Sequence, residues 1–71
     1  MTTIRSEIPA TVWQVKVAPG DHVEADDEII ILESMKMEIP VVAPRAGTVK
    51  AVLVAAADRV QEGDALAELE A

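Results

Sequence analysis

The stretch ATVWQVKVAPGDHVEADDEIIILE, residues 10–33, returns 37 positions later as GTVKAVLVAAADRVQEGDALAELE, residues 47–70, without a gap. Ten of the 24 paired positions are identical, among them Val12/Val49, Val15/Val52, Asp21/Asp58, Asp27/Asp64 and Leu32/Leu69. Chance at this composition gives roughly two. Each copy reads as a strand (Thr11 to Val17, Thr48 to Val54), a turn, a short apolar touch at Val23 or Val60, a second turn and another strand (Glu28 to Glu33, Ala65 to Glu70). Two copies of one hairpin-like unit predict a domain with approximate two-fold symmetry.

Val49, Val52, Leu53, Ala56, Ala57 and Val60 also fit one face of an amphipathic helix. The first copy holds Pro19-Gly20 at the corresponding point, a turn signal, so a fold shared by the two copies excludes the helix. Within each first strand the apolar phase slips by one residue: Val12 is out of step with Val15 and Val17, as Val49 is with Val52 and Val54. A β-bulge at Trp13-Gln14 and Lys50-Ala51 accounts for the slip. Burial of both strand faces accounts for it equally.

Composition agrees with an all-β reading. Ten Val and six Ile stand against four Leu, and stiff β-branched side chains favour pleated sheets over helices. A chain of 71 residues buries only about 60% of its unfolded surface, too little for a deep two-lobed cleft. The formal charge of −7 repels phosphate backbones and anionic headgroups, which argues against nucleic acid and membrane partners. There is no Cys, and His22 is the one His, so no disulfide and no metal centre is expected. The longest apolar run, Ala51 to Ala57, is far short of a membrane span, and no export signal opens the chain; the expected compartment is cytoplasmic.

Between the copies lies Ser34 to Ala46, a segment with no internal copy. A junction of two symmetric halves calls for a tight turn at the symmetry axis, with Lys36 at its middle. Met35-Lys36-Met37 sets one cation between two flexible thioethers, directly after the apolar run Ile29 to Leu32. On a hairpin turn the ammonium projects at full reach while a partner reads the Met side chains. Spacing alone favours the plainer reading, a solvated turn charge between two edge-of-core methionines.

The longer pattern decides otherwise. Glu33-Ser34-Met35-Lys36-Met37-Glu38 sits between repeats that carry Gly20-Asp21 and Gly63-Asp64, with Ala43-Pro44 and Gly47-Thr48-Val49 following. In this the chain resembles the biotinyl/lipoyl attachment domain family, from about Ile8 to Glu70, and is most similar to its small free-standing biotin carriers. The resemblance implies a flattened β-barrel (a barrel-sandwich hybrid) of two four-stranded sheets with quasi-two-fold symmetry. Residues 1–71 then form one biotinyl domain, with the biotin lysine on a hairpin turn. Lys36 matches the family lysine that a biotin protein ligase joins to biotin by an amide. Lipoyl domains usually carry Asp-Lys-Ala there, so the flanking methionines point to biotin. Ser34 stands where the family most often has Ala, and Asp26 and Ala57 each replace a turn glycine of one half. Asp tolerates left-handed backbone. Ala57 is strained there, so either that turn differs or the fold gives up stability.

By resemblance the chain is a biotin carrier and not an enzyme, with no catalytic residue of its own. Its implied partners are biotin protein ligase and the biotin carboxylase and carboxyltransferase subunits between which it carries carboxybiotin, as a monomer when free. An amine acylates only as the free base, whereas an ordinary lysine is an ammonium at neutral pH. The nearest charges in sequence, Glu33 and Glu38, are of the sign that accompanies an ammonium, so deprotonation falls to the ligase. Glu33, Met35 and Met37 are then recognition marks for that ligase. A lipoyl carrier of the same fold and an unmodified β-barrel interaction module are the alternatives. Trp13, which aligns with Lys50, is expected to be partly exposed as surface covering or a docking contact, and His22 to be a solvated turn residue.

Overall fold

The computed structural model describes residues 2–70, which form strands and turns without a helix. The strands are β1 (Thr2–Arg5), β2 (Ala10–Val15), β3 (His22–Val23), β4 (Glu28–Ser34), β5 (Met37–Val42), β6 (Gly47–Val52), β7 (Arg59–Val60) and β8 (Ala65–Glu70). They make two four-stranded antiparallel sheets, in the orders β1-β8-β6-β3 and β5-β4-β2-β7. Each half lends its short strand to the other's sheet: β7 pairs with β2, and β3 with β6. The sheets pack as a flattened sandwich. Between the edge strands β1 and β5 runs an apolar groove lined by Ile4, Ile8, Leu32, Ile39 and Val41, so the expected barrel is open along that side.

The register repeats residue for residue at an offset of 37. Thr11 faces Glu33 as Thr48 faces Glu70, and Val12 faces Leu32 as Val49 faces Leu69. The bulges repeat as well, between Val12 and Gln14 and between Val49 and Ala51, which decides the source of the apolar phase slip. β2 and β6 end at Val15 and Val52, two residues earlier than their sequence suggests; Val17 and Val54 beyond them still pack against the core.

Two expectations about the junction are corrected. Ile39 faces Leu32 and Val41 faces Ile30 just as Thr2 faces Leu69 and Ile4 faces Ala67. Residues 39–42 are therefore the symmetry mates of 2–5, not part of a segment without a copy. Thr-Thr-Ile-Arg and Ile-Pro-Val-Val share no identical residue, so only the pairing reveals the kinship. The same operation carries the β4–β5 turn onto the end of the other sheet, where Thr2 pairs with Leu69. Lys36 thus lies off the symmetry axis, at the end of one sheet.

Val12, Ile29, Ile30, Leu32, Val49, Val60, Leu66 and Leu69 are fully buried between the sheets. Each such side chain is worth about 1.5–3 kcal/mol. The ion pair Lys16–Glu28, 2.9 Å long, is exposed on both sides and contributes about 1 kcal/mol or less. Apolar burial holds the sandwich, and four matching turns shape it. Ala18–Asp21, Glu24–Asp27, Ala55–Asp58 and Gln61–Asp64 are each closed by a hydrogen bond from the fourth N–H to the first carbonyl, at 3.0, 3.1, 3.1 and 3.0 Å. Their third residues, Gly20, Asp26, Ala57 and Gly63, have φ of 96°, 71°, 78° and 89°, as a type II turn requires. The closing Asp of each accepts a hydrogen bond at 2.8–2.9 Å from the N–H of the first residue, which is why these four Asp recur in the repeat. The turn at Ala57 does not differ; it keeps the shared conformation and bears the strain, about 1 kcal/mol.

Candidate functional site

β4 and β5 form the hairpin that carries Lys36. Ser34 pairs with Met37, leaving Met35 and Lys36 as the whole connection. Their φ angles are 54° and 64°. A two-residue hairpin of this kind needs positive φ at both positions because only that twist matches its flanking strands, and it favours Asn-Gly. Met and Lys at these points hold about 1–2 kcal/mol of strain apiece. Local backbone preference does not choose them; what they gain is projection. Met35 is 92% exposed and Met37 64%, and Lys36 is exposed between them. No ion pair among the described residues holds the Lys36 ammonium.

One row down the ladder, Glu33 stands directly opposite Glu38. Antiparallel ladders alternate hydrogen-bonded and non-bonded pairs. Pro40 has no N–H to give, so its pair with Ile31 is a non-bonded one, its nitrogen turned to the open side of edge strand β5. Counting back from it, Leu32–Ile39 is bonded, Glu33–Glu38 non-bonded and Ser34–Met37 bonded. Non-bonded pairs bring side chains closest, so the two carboxylates confront each other at the base of the turn. Like charges so placed cost a few tenths of a kcal/mol. The tip therefore offers one exposed primary amine, two exposed thioethers and an acidic collar, and none of residues 33–38 lines the apolar groove. That suits a lysine that is acylated from outside and extends the attached group away from the protein.

Residues 2–69 match the family described as "Biotin-requiring enzyme". The chain belongs to the biotin/lipoyl attachment domain family. Membership makes it a carrier domain and not a catalyst, with biotin as its covalently attached group. The biotinyl domain is 49% identical over 67 residues to the biotin/lipoyl attachment protein of Bacillus subtilis, covering 94% of this chain and 92% of that one. It is 46% identical over 69 residues to the human mitochondrial propionyl-CoA carboxylase alpha chain, covering 97% of this chain and 10% of the relative. Among solved structures it resembles the Kluyveromyces lactis urea carboxylase, with a TM-score of 0.91 and 39% identity, over 97% of this chain and 6% of that one. Domains of this kind thus occur both as small proteins and as parts of carboxylases.

In the biotinyl domain Met35, Lys36, Met37 and Glu33 all gather at one end of the β4–β5 hairpin. Glu38, which sequence reasoning passed over as a site residue, joins them. A two-residue turn centred on 35–36 pairs 33 with 38, so its place was readable. His22 is an exposed residue of β3 whose Nε2 lies 2.6 Å from Glu24 Oε2. No group of three metal-ligating side chains occurs among the described residues, and no helix among them is long and apolar enough to cross a membrane.

Proposed function

We propose that Lys36 is the residue biotinylated by a biotin protein ligase, and that the loaded domain serves a biotin carboxylase and a carboxyltransferase in turn, as a cytoplasmic protein that is monomeric when free. The observation that carries this reading is the Met35–Lys36 turn: two non-glycine residues at positive φ that hold a free amine at the apex between exposed methionines. In the attachment step Lys36 Nζ, deprotonated in the ligase, attacks the carbonyl of biotinyl-adenylate; the amide C–N bond forms, the mixed anhydride breaks and AMP leaves. When bound, biotin supplies a ureido nitrogen that is carboxylated in one active site and gives up CO₂ in another. The domain's own residues do the rest: the hairpin sets the origin and direction of the arm, and Glu33, Met35 and Met37 mark the turn for the ligase. Reach and high local concentration are its contribution to rate.

Intact mass after expression with a biotin ligase tests the reading. One biotin amide is expected on the wild type and none on Lys36→Arg, which keeps the charge. A lipoyl mass on Lys36, or streptavidin binding by the Arg variant, overturns the assignment.

A further inference from the structure

The two-fold supplies an internal control for the outer surface, because equivalent positions share a backbone. On the sheet that carries Lys36, Trp13 and Gln14 occupy the β2 bulge opposite Ile31, and Ile31 stands opposite Pro40 of β5. The equivalent row of the other sheet is Lys50 and Ala51, then Glu68, then Thr3. Trp13 thus takes the place of Lys50, Ile31 of Glu68 and Pro40 of Thr3. Two residues along the edge strand, Val42 takes the place of Arg5. The shared backbone accepts either set, so strand pairing alone does not call for the apolar one. Ile31 is only 7% exposed yet stands outside the interior cluster, on the outer side of its sheet. Of the large apolar side chains that remain exposed, Trp13, Met35, Met37 and Val42 belong to the Lys36 sheet and its hairpin. The reverse exchange, Leu53 for Lys16, lies beyond the bulge, on the side away from the hairpin.

We propose that the outer face of β2, β4 and β5, centred on the exposed Trp13 and Pro40 with the buried Ile31 between them in the row, is the docking surface for the biotin carboxylase that acts on the loaded domain; this rests on the carrier reading above. The face is continuous with the Lys36 turn, from which the Ile31–Pro40 row is separated only by Glu33 and Glu38. At about 3.3 Å per residue the row lies some 15 Å from the apex, within the footprint of an enzyme whose cleft admits the arm. The partner presents an apolar patch bordered by Lys or Arg, complementary to Glu33, Glu38 and the net charge of −7. The ligase meets each molecule once, whereas the carboxylase and the carboxyltransferase both meet it in every turnover; the face is assigned here to the carboxylase, and the carboxyltransferase is an outcome of the test. A small apolar row with an acidic border gives the oriented, weak contact that repeated docking requires.

The test uses holoprotein and the biotin carboxylase of the same cell. Trp13→Lys and Ile31→Glu place the symmetry mate's residue on the shared backbone, with Pro40→Thr as the milder variant and Lys50→Trp as the control. The first two are expected to raise KM for the holoprotein about ten-fold while kcat and the biotinylation rate stay within two-fold, and the control is expected to change nothing. In ¹⁵N-labelled holoprotein, the single Trp indole signal and the Ile31 amide are expected to shift on adding carboxylase, with the Ala51 and Glu68 amides still. An unchanged KM in all three variants overturns the proposal, and so does a KM that rises for the carboxyltransferase and not for the carboxylase, which would give the face to that partner. So does a fall in biotinylation without a change in KM, which would make the face a ligase surface, or a dimer that Trp13→Lys dissociates in sedimentation. If wild-type protein gains no biotin, the carrier reading itself fails, an outcome that intact mass separates from these.

Discussion

Ala57 occupies the position that Gly20 occupies in the other half, with φ of 78° against 96°. One residue is suited to that backbone and the other is not. Ala57→Gly is expected to raise unfolding stability by about 1 kcal/mol, because relief of the left-handed strain exceeds the added freedom of the unfolded chain. Gly20→Ala is expected to lower it by a similar amount. A Cβ at Gly20 meets nothing within 4 Å, so that change reads the backbone alone. Urea melts of both variants check the pair; an Ala57→Gly midpoint equal to wild type would show that the turn relaxes.

The Asp side chains that close the four turns act as hydrogen-bond acceptors. Asp21 Oδ2 takes the Ala18 N–H at 2.9 Å and Asp58 Oδ2 takes the Ala55 N–H at 2.9 Å. Asp21→Ala and Asp58→Ala are each expected to cost about 1 kcal/mol. Asp→Asn at either position keeps an acceptor oxygen and is expected to cost less than half as much. If Asn proves as damaging as Ala in the same melts, charge and not the hydrogen bond holds these turns.

How far the sequence reveals this follows from what each residue answers to. Identical Val and Asp residues in the two copies answer to the same burial and the same turn, so the repeat exposes β2 to β4 and β6 to β8. The mates β1 and β5 answer only to a strand pairing that many side chains satisfy, and Thr-Thr-Ile-Arg hides its kinship with Ile-Pro-Val-Val. The off-axis position of Lys36 follows from that hidden pair and was illegible for the same reason. Alternation disclosed a phase slip at Val12, and only the register shows it to be a bulge. Met35, Lys36 and Met37 were legible through the longer pattern that resembles the biotinyl/lipoyl family; spacing alone made the two methionines edge-of-core, whereas both are exposed.

Met35 separates stability from recognition. Its φ of 54° suits Asn, which the first position of such a turn prefers. Met35→Asn is expected to stabilise the hairpin by about 1 kcal/mol and yet to slow biotinylation, since a thioether that is 92% exposed is replaced by a short polar group. Thermal melts and ligase kinetics on the same samples check both signs. Faster biotinylation would show that the methionine serves the turn and not the ligase.

The acidic collar leads to a salt dependence. Glu33 and Glu38 face each other across β4 and β5, and their repulsion is relieved by whatever cation approaches the turn. The holoprotein alone is expected to carboxylate nothing, and to accept carboxylate when biotin carboxylase, ATP and bicarbonate are supplied. Raising salt from about 50 to about 500 mM shortens the Debye length from roughly 14 to roughly 4 Å, which is expected to raise KM for the holoprotein several-fold with kcat held. Replacing both carboxylates, Glu33→Gln with Glu38→Gln, is expected to remove much of that salt response and to stabilise the hairpin by a few tenths of a kcal/mol. Because the same substitution is expected to slow the ligase, the variant must be loaded to completion, verified by intact mass, before KM is compared. A salt response as steep as that of the wild type would place the attraction elsewhere on the −7 surface and detach the collar from docking.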